Sequence, residues 1–154
     1  MMYSVIDKNE ALLKQLESYL ELHQKLNNTI SSESIGWHIA HSCQVINTIT
    51  NAIIHSDPSK AKPKFSFFYQ WLMFTNKIPR GKAKAPNIVI PKNTITRAEI
   101  VEEIERAKAN LQTLASTHQN KYFTHPIFGD LDVPKTLRFF KVHTNHHLKI
   151  IQDI

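Results

Sequence analysis

The residues most able to do chemistry lie near the end of the chain, in Val142-His143-Thr144-Asn145-His146-His147-Leu148. His143 and His147 are four residues apart, so a helix sets both imidazoles on one face, one turn from each other. That spacing lets one helix supply two ligands to a zinc-like ion. Phe140, Ile150 and Ile154 continue the same line, which turns both histidines inward. Two inward imidazoles with no acidic neighbour in sequence are costly to bury charged, and coordination of a metal by the neutral rings removes that cost. A third ligand has to come from another element. The segment Gly36-Trp37-His38-Ile39-Ala40-His41-Ser42 offers two. On a helical wheel His38 lies about 55° from the centre of the stripe Ile35, Ile39, Ile46, Ile49, Ile53, and His41 about 115°. His38 is the better inward candidate. The competing reading for all four is that of ordinary, hydrogen-bonded core histidines.

Four helical stretches must position these side chains. Leucines and a tyrosine at three- and four-residue steps predict the first over about 8–27. The second is predicted over about 33–55, with Ser31 and Ser34 as candidate caps and Asp57-Pro58 closing it. Thr96-Arg-Ala-Glu99 is a capping box opening the third, which runs to about Ser116 with Ile100, Ile104, Ala107, Leu111 and Leu114 inward. Pro134, a natural first-turn residue, opens the fourth, which carries Leu137, Phe140 and the histidines. Four amphipathic helices describe an all-α protein, a four-helix bundle in one domain over 1–154. The link between the second and third helices, 56–95, is too long for a plain loop. Its run Phe65-Ser-Phe-Phe-Tyr-Gln-Trp-Leu-Met-Phe74 is expected to pack as a short helix over the bundle.

Composition removes many other classes of protein. The chain has 154 residues, three glycines and one cysteine, Cys43. Scattered glycines exclude a dinucleotide fingerprint or a phosphate loop, and one cysteine excludes an internal disulfide or a multi-cysteine zinc site. No apolar run approaches the length of a bilayer span, and the first residues lack the basic and apolar regions of a signal peptide. A soluble cytoplasmic protein with no membrane partner is therefore expected. The net charge is +6, and Lys60, Lys62, Lys64, Lys77, Arg80, Lys82 and Lys84 fall in one span without an acid. Without a nucleic-acid motif beside them, these read as a solvated basic segment, 60–84, rather than a nucleic-acid surface.

Three motifs together, Trp37-His38-Ile-Ala-His41-Ser42, His125-Pro-Ile-Phe-Gly129 and His143-Thr-Asn-His-His147-Leu148, resemble the DinB-like (YfiT-like) metalloenzyme superfamily over nearly the whole chain. The resemblance implies a four-helix bundle with a long crossover that binds a divalent metal, zinc or nickel, through His38, His143 and His147. That family often has an acidic residue three positions after its first ligand. His41 stands there in this chain, as a general base, an orienting group or an alternative ligand. Three neutral histidines leave an ion at least one open position, the mark of a catalytic metal.

Characterised members use low-molecular-weight thiols such as bacillithiol and mycothiol. The resemblance therefore implies a metal-dependent thiol S-transferase-like enzyme, with a thiol as co-substrate and a small-molecule substrate. It also implies a homodimer. The alternative is a non-catalytic metal-binding or stress-response bundle protein. His125, before Pro126, is expected to set a loop, His146 to lie off the ligand face, Trp37 to pack in the core, and Cys43 to be inert.

Overall fold

A computed structural model describes residues 2–81, 87–92 and 94–154; Lys82 and Lys84 of the basic segment lie outside the described residues. The chain is mostly helical, with helices α1 (Met2–Glu17), α2 (Ile35–Ile54), α3 (Phe67–Thr75), α4 (Arg97–Ser116) and α5 (Val133–Asp153). A small antiparallel sheet, β1 (Tyr122–His125) with β2 (Gly129–Asp132), precedes α5. The four long helices share one core: α2 packs on α4, α1 on α5, and each pair touches the other. No helix among the described residues is long and apolar enough to cross a membrane.

The helix starts follow local chemistry. Ser34 caps α2 by accepting the Trp37 N–H, and Asp132 caps α5 by accepting the Lys135 N–H. Both halves of the Thr96–Glu99 capping box are present at α4. Ile100, Ile104, Ala107, Leu111 and Leu114 are all buried, as their spacing predicts.

The first helix differs from its predicted span. It starts at Met2 and ends at Glu17, and Leu22 and Leu26 beyond it are exposed. The backbone there is used otherwise: the His23 and Lys25 carbonyls accept the N–H groups of Gly36 and Ile35 at 2.8 and 3.0 Å. Helical geometry would have turned those carbonyls into their own helix.

Gly36 is therefore a site of close approach. A Cβ there would stand 2.9 Å from the His23 carbonyl oxygen and 3.0 Å from Ile100 Cδ1. Helix propensity alone favours Gly36→Ala by about 1 kcal/mol. The contact with backbone oxygen cannot be relieved by a rotamer change, and overpacking costs about 1–3 kcal/mol. We expect Gly36→Ala to destabilise the protein, by up to about 2 kcal/mol in urea unfolding. A stabilised variant would show that the turn at 23–35 yields freely.

The aromatic run of the crossover forms the short helix expected, with one face packed and the other exposed. Tyr69 and Leu72 of α3 face inward, and the Tyr69 hydroxyl donates to the Lys135 carbonyl at 3.0 Å. Phe67, Trp71 and Phe74 occupy the opposite face and are exposed, Phe74 by 88%. Asn76, in the left-handed conformation at φ 50°, ends the helix and turns the chain back along α5.

The hairpin is the second departure from an all-helical chain. Phe123 and Leu131 are paired across it and buried, and Gly129 at φ 74° makes its turn. Because Asp132 both ends β2 and caps α5, the hairpin sets where α5 begins.

Candidate metal centre

Helix α2 presents His38 and His41, and α5, packed beside it, presents His143 and His147. Three of these, His41, His143 and His147, can each offer a nitrogen within 4.8 Å of the other two. Nitrogens bound tetrahedrally at ~2.0–2.1 Å lie about 3.4 Å apart, so small ring rotations would close the set on an ion. Ring centroids support the same grouping: His41–His143 at 5.2 Å, His41–His147 at 4.8 Å and His143–His147 at 4.7 Å.

His38, expected as the α2 ligand, stands beside this group. Its Nδ1 lies 2.9 Å from His147 Nδ1, and its Nε2 lies 2.9 Å from Ser31 Oγ. Both of its nitrogens are thus engaged by protein, one of them by a histidine of the group itself.

His41 is more deeply placed than the wheel suggests, at 3% exposure. The wheel measured its angle from the isoleucine stripe and took no account of the crossover. The turn Asn87–Val89 packs on α2, and the Val89 carbonyl accepts a hydrogen bond from His41 Nδ1 at 2.6 Å. That bond fixes the tautomer and leaves Nε2 with its lone pair. Trp37 stacks on the His41 ring at 4.9 Å and 17°, and meets His38 edge-on. Trp37 is therefore a wall of the site.

Burial dominates the electrostatics. It pushes the imidazolium pKa of His38 down to about 4, with His41, His146 and Arg80 adding repulsion. Burial holds His143 and His147 well below the ordinary histidine value, each further lowered by its histidine neighbours. His41 is lowered by burial too, against the opposing Val89 hydrogen bond. All four rings are neutral at pH 7, the form that coordinates a metal. Among the buried ring nitrogens of these four histidines, His143 Nδ1 has no hydrogen-bond partner among the described residues. An unpaired buried nitrogen is costly in isolation, and a donor set of neutral imidazoles with one orphaned nitrogen suits a divalent ion of the zinc or nickel kind.

The other histidines divide as follows. His125 Nδ1 accepts the Ile127 and Phe128 N–H groups at 3.1 and 3.3 Å, so it organises the hairpin turn. His146 is half-buried rather than free in solvent, its ring 5.1 Å from that of His147. Cys43 is wholly buried, and burial pushes its thiol pKa up.

Size does not mark this site. A groove of about 650 Å³ between α2 and α4 is lined by amides, isoleucines, Lys92, Glu103 and Arg106 and includes none of the four histidines. Sequence reasoning missed the Val89 carbonyl and the Ser31 hydroxyl as partners of the histidines. Val89 is 48 residues from His41, and nothing in its identity signals the contact. Ser31 and His38 were both visible, but Ser31 read as a helix cap.

These features define a mostly helical protein with a three-histidine group able to hold a metal ion, His41 and His147 buried and His143 partly so. Residues 5–153 match the family described as "Protein of unknown function (DUF1569)", and the chain belongs to that family. Neither a curated protein nor a solved structure matches it.

Proposed function

We propose that this protein is a divalent-metal-dependent enzyme, thiol S-transferase-like, acting on a small molecule in the cytoplasm. The observation that carries the metal reading is the convergence of His41, His143 and His147, three neutral imidazoles from two helices, within 4.8 Å. The thiol chemistry, the DinB-like four-helix bundle and the homodimer rest on the motif resemblance alone. When bound, zinc or nickel would supply a Lewis acid that lowers the pKa of a coordinated water or thiol toward neutrality.

The protein's own residues do the rest. Burial keeps the rings uncharged, and the Val89 carbonyl aims His41 Nε2 into the group. His38, anchored by Ser31, holds His147 through its Nδ1. Trp37 restrains the His41 ring and shields it from water. In this reading His41 is a ligand rather than a general base, since its Nδ1 is committed to Val89. His38 is a positioning residue, and it could join the ligands only by giving up its bonds to Ser31 and His147.

Titration of metal-free protein with zinc and with nickel tests the assignment. The wild type should take up about one ion per chain, and His41→Ala should lose tight binding. His38→Ala should retain the ion with affinity reduced roughly 10–100-fold, the usual effect of removing a group that orients a ligand. Abolition by His38→Ala with full retention by His41→Ala would restore His38 as the ligand. No uptake of either metal by the wild type would overturn the reading.

A further inference from the structure

Beside the histidine group lies a cavity of about 370 Å³ whose lining is almost entirely cationic and apolar. It forms where the chain leaves α3. Asn76 turns the backbone, and residues 77–80 then run along the face of α5 that carries His146, Lys149 and Asp153. Those three positions recur at three and four residues, so they share that face. Trp71, Ile78 and Pro79 supply an apolar wall, and Lys77, Arg80 and Lys149 supply the charge. The Arg80 guanidinium is held by Asp153 at 2.7 Å, which places it before any ligand arrives. Among the described residues, no carboxylate lines the cavity.

His146 joins this cavity to the metal centre. Its ring is part of the lining, and it stands 5.1 Å from the ring of His147. A small molecule seated against Trp71 lies one imidazole away from the three-histidine group.

We propose that this cavity binds the anionic end of the substrate, a carboxylate or phosphate carried on a compact apolar or aromatic body. The volume sits at the low end of ligand cavities, which run from about 300 to 1,000 Å³, and suits a body of a few carbons or one ring. With Arg80 paired to Asp153, Lys77 and Lys149 leave the lining net cationic and favour an anion, and the indole gives the body a flat partner. The catalytic meaning of the cavity rests on the metal reading above, but its anion affinity does not.

Calorimetric titration of metal-free and zinc-reconstituted protein with inorganic phosphate and with benzoate tests this. One of the two should bind saturably, one per chain, in the millimolar range or tighter. Tighter phosphate binding would mark a phosphate ester as the substrate class, and tighter benzoate binding an organic acid. Lys77→Ala/Lys149→Ala, both exposed positions, should weaken binding by about tenfold or more, with helical circular dichroism and zinc content unchanged. Trp71→Leu should weaken benzoate more than phosphate. Absence of saturable binding of either anion, or an unaffected double variant, overturns the proposal even if zinc binds. Anion binding that depends on the lysines in a protein that takes up no metal would uphold the cavity and overturn the metal reading.

Discussion

His143→Ala should abolish tight zinc and nickel binding while leaving the metal-free fold almost as stable as before. The two halves of that result come from different properties of one ring. Removing one of three ligands from a small site lowers affinity by far more than removing an orienting group, so a loss beyond about a hundredfold is expected. The same ring carries a buried Nδ1 with no hydrogen-bond partner, a standing cost in the metal-free protein. Its deletion removes that cost as well as some packing, and the two should nearly offset, to within about 1 kcal/mol. In thermal unfolding, zinc at a hundred times its dissociation constant should stabilise the wild type by about 2.7 kcal/mol and the variant not at all. A variant that unfolds in metal-free buffer, beside a wild type that ignores zinc, would make His143 a packing residue.

Acid should unfold the metal-free protein more readily than its carboxylates explain. A buried neutral imidazole has a folded pKa below the unfolded value, so the unfolded chain binds more protons between the two. Stability is then complete above the unfolded value and is lost as pH falls toward the folded one. For His38, almost fully buried, the window runs from 6.5 down to about 4, and the loss across it is on the order of 3 kcal/mol. His143 and His147, held lower still, share the upper part of the window and extend the loss below it.

The shifted carboxylates act below pH 5. Asp57, Glu99 and Asp130 are stabilised as anions by hydrogen bonds, so the stability they add is lost only as pH falls below their ordinary carboxylate values. Urea unfolding at pH 7, 6 and 5 should therefore show stability falling with uptake of more than one proton. Flat stability across that range would mean that the rings are hydrated and their burial overstated.

How far the residues announced this arrangement depends on how local each determinant is. The capping box at Thr96 and the five inward positions of α4 were legible because they need only one helix. The His143–His147 pair was legible for the same reason. His41 was harder to place, because its environment is made by a turn 48 residues away whose carbonyl takes its proton. The hairpin before α5 was hidden by its length: two four-residue strands give too few alternations to distinguish from apolar loop. The aromatic helix α3 misled in the opposite direction. Its composition implies burial, but it packs on α5 through Tyr69 and Leu72, and its other aromatics, Phe67, Phe68, Trp71 and Phe74, are exposed. Of the cationic cavity only Lys77 and Arg80, in the basic segment, were legible. The cavity joins a turn after α3 to one face of α5, and only the fold brings them together.

Cys43 carries a practical consequence. It is the chain's single cysteine, it is fully shielded between helices, and its thiol resists ionisation. A reagent that alkylates thiolates meets nothing to attack until the helices part. The rate at which Cys43 is labelled is therefore a clock for opening of the interior, readable by mass spectrometry without any engineered probe. A protein that handled electrophiles beside its metal centre would also be spared alkylating itself, because its own sulfur is kept out of the reaction by the same packing that forms the core.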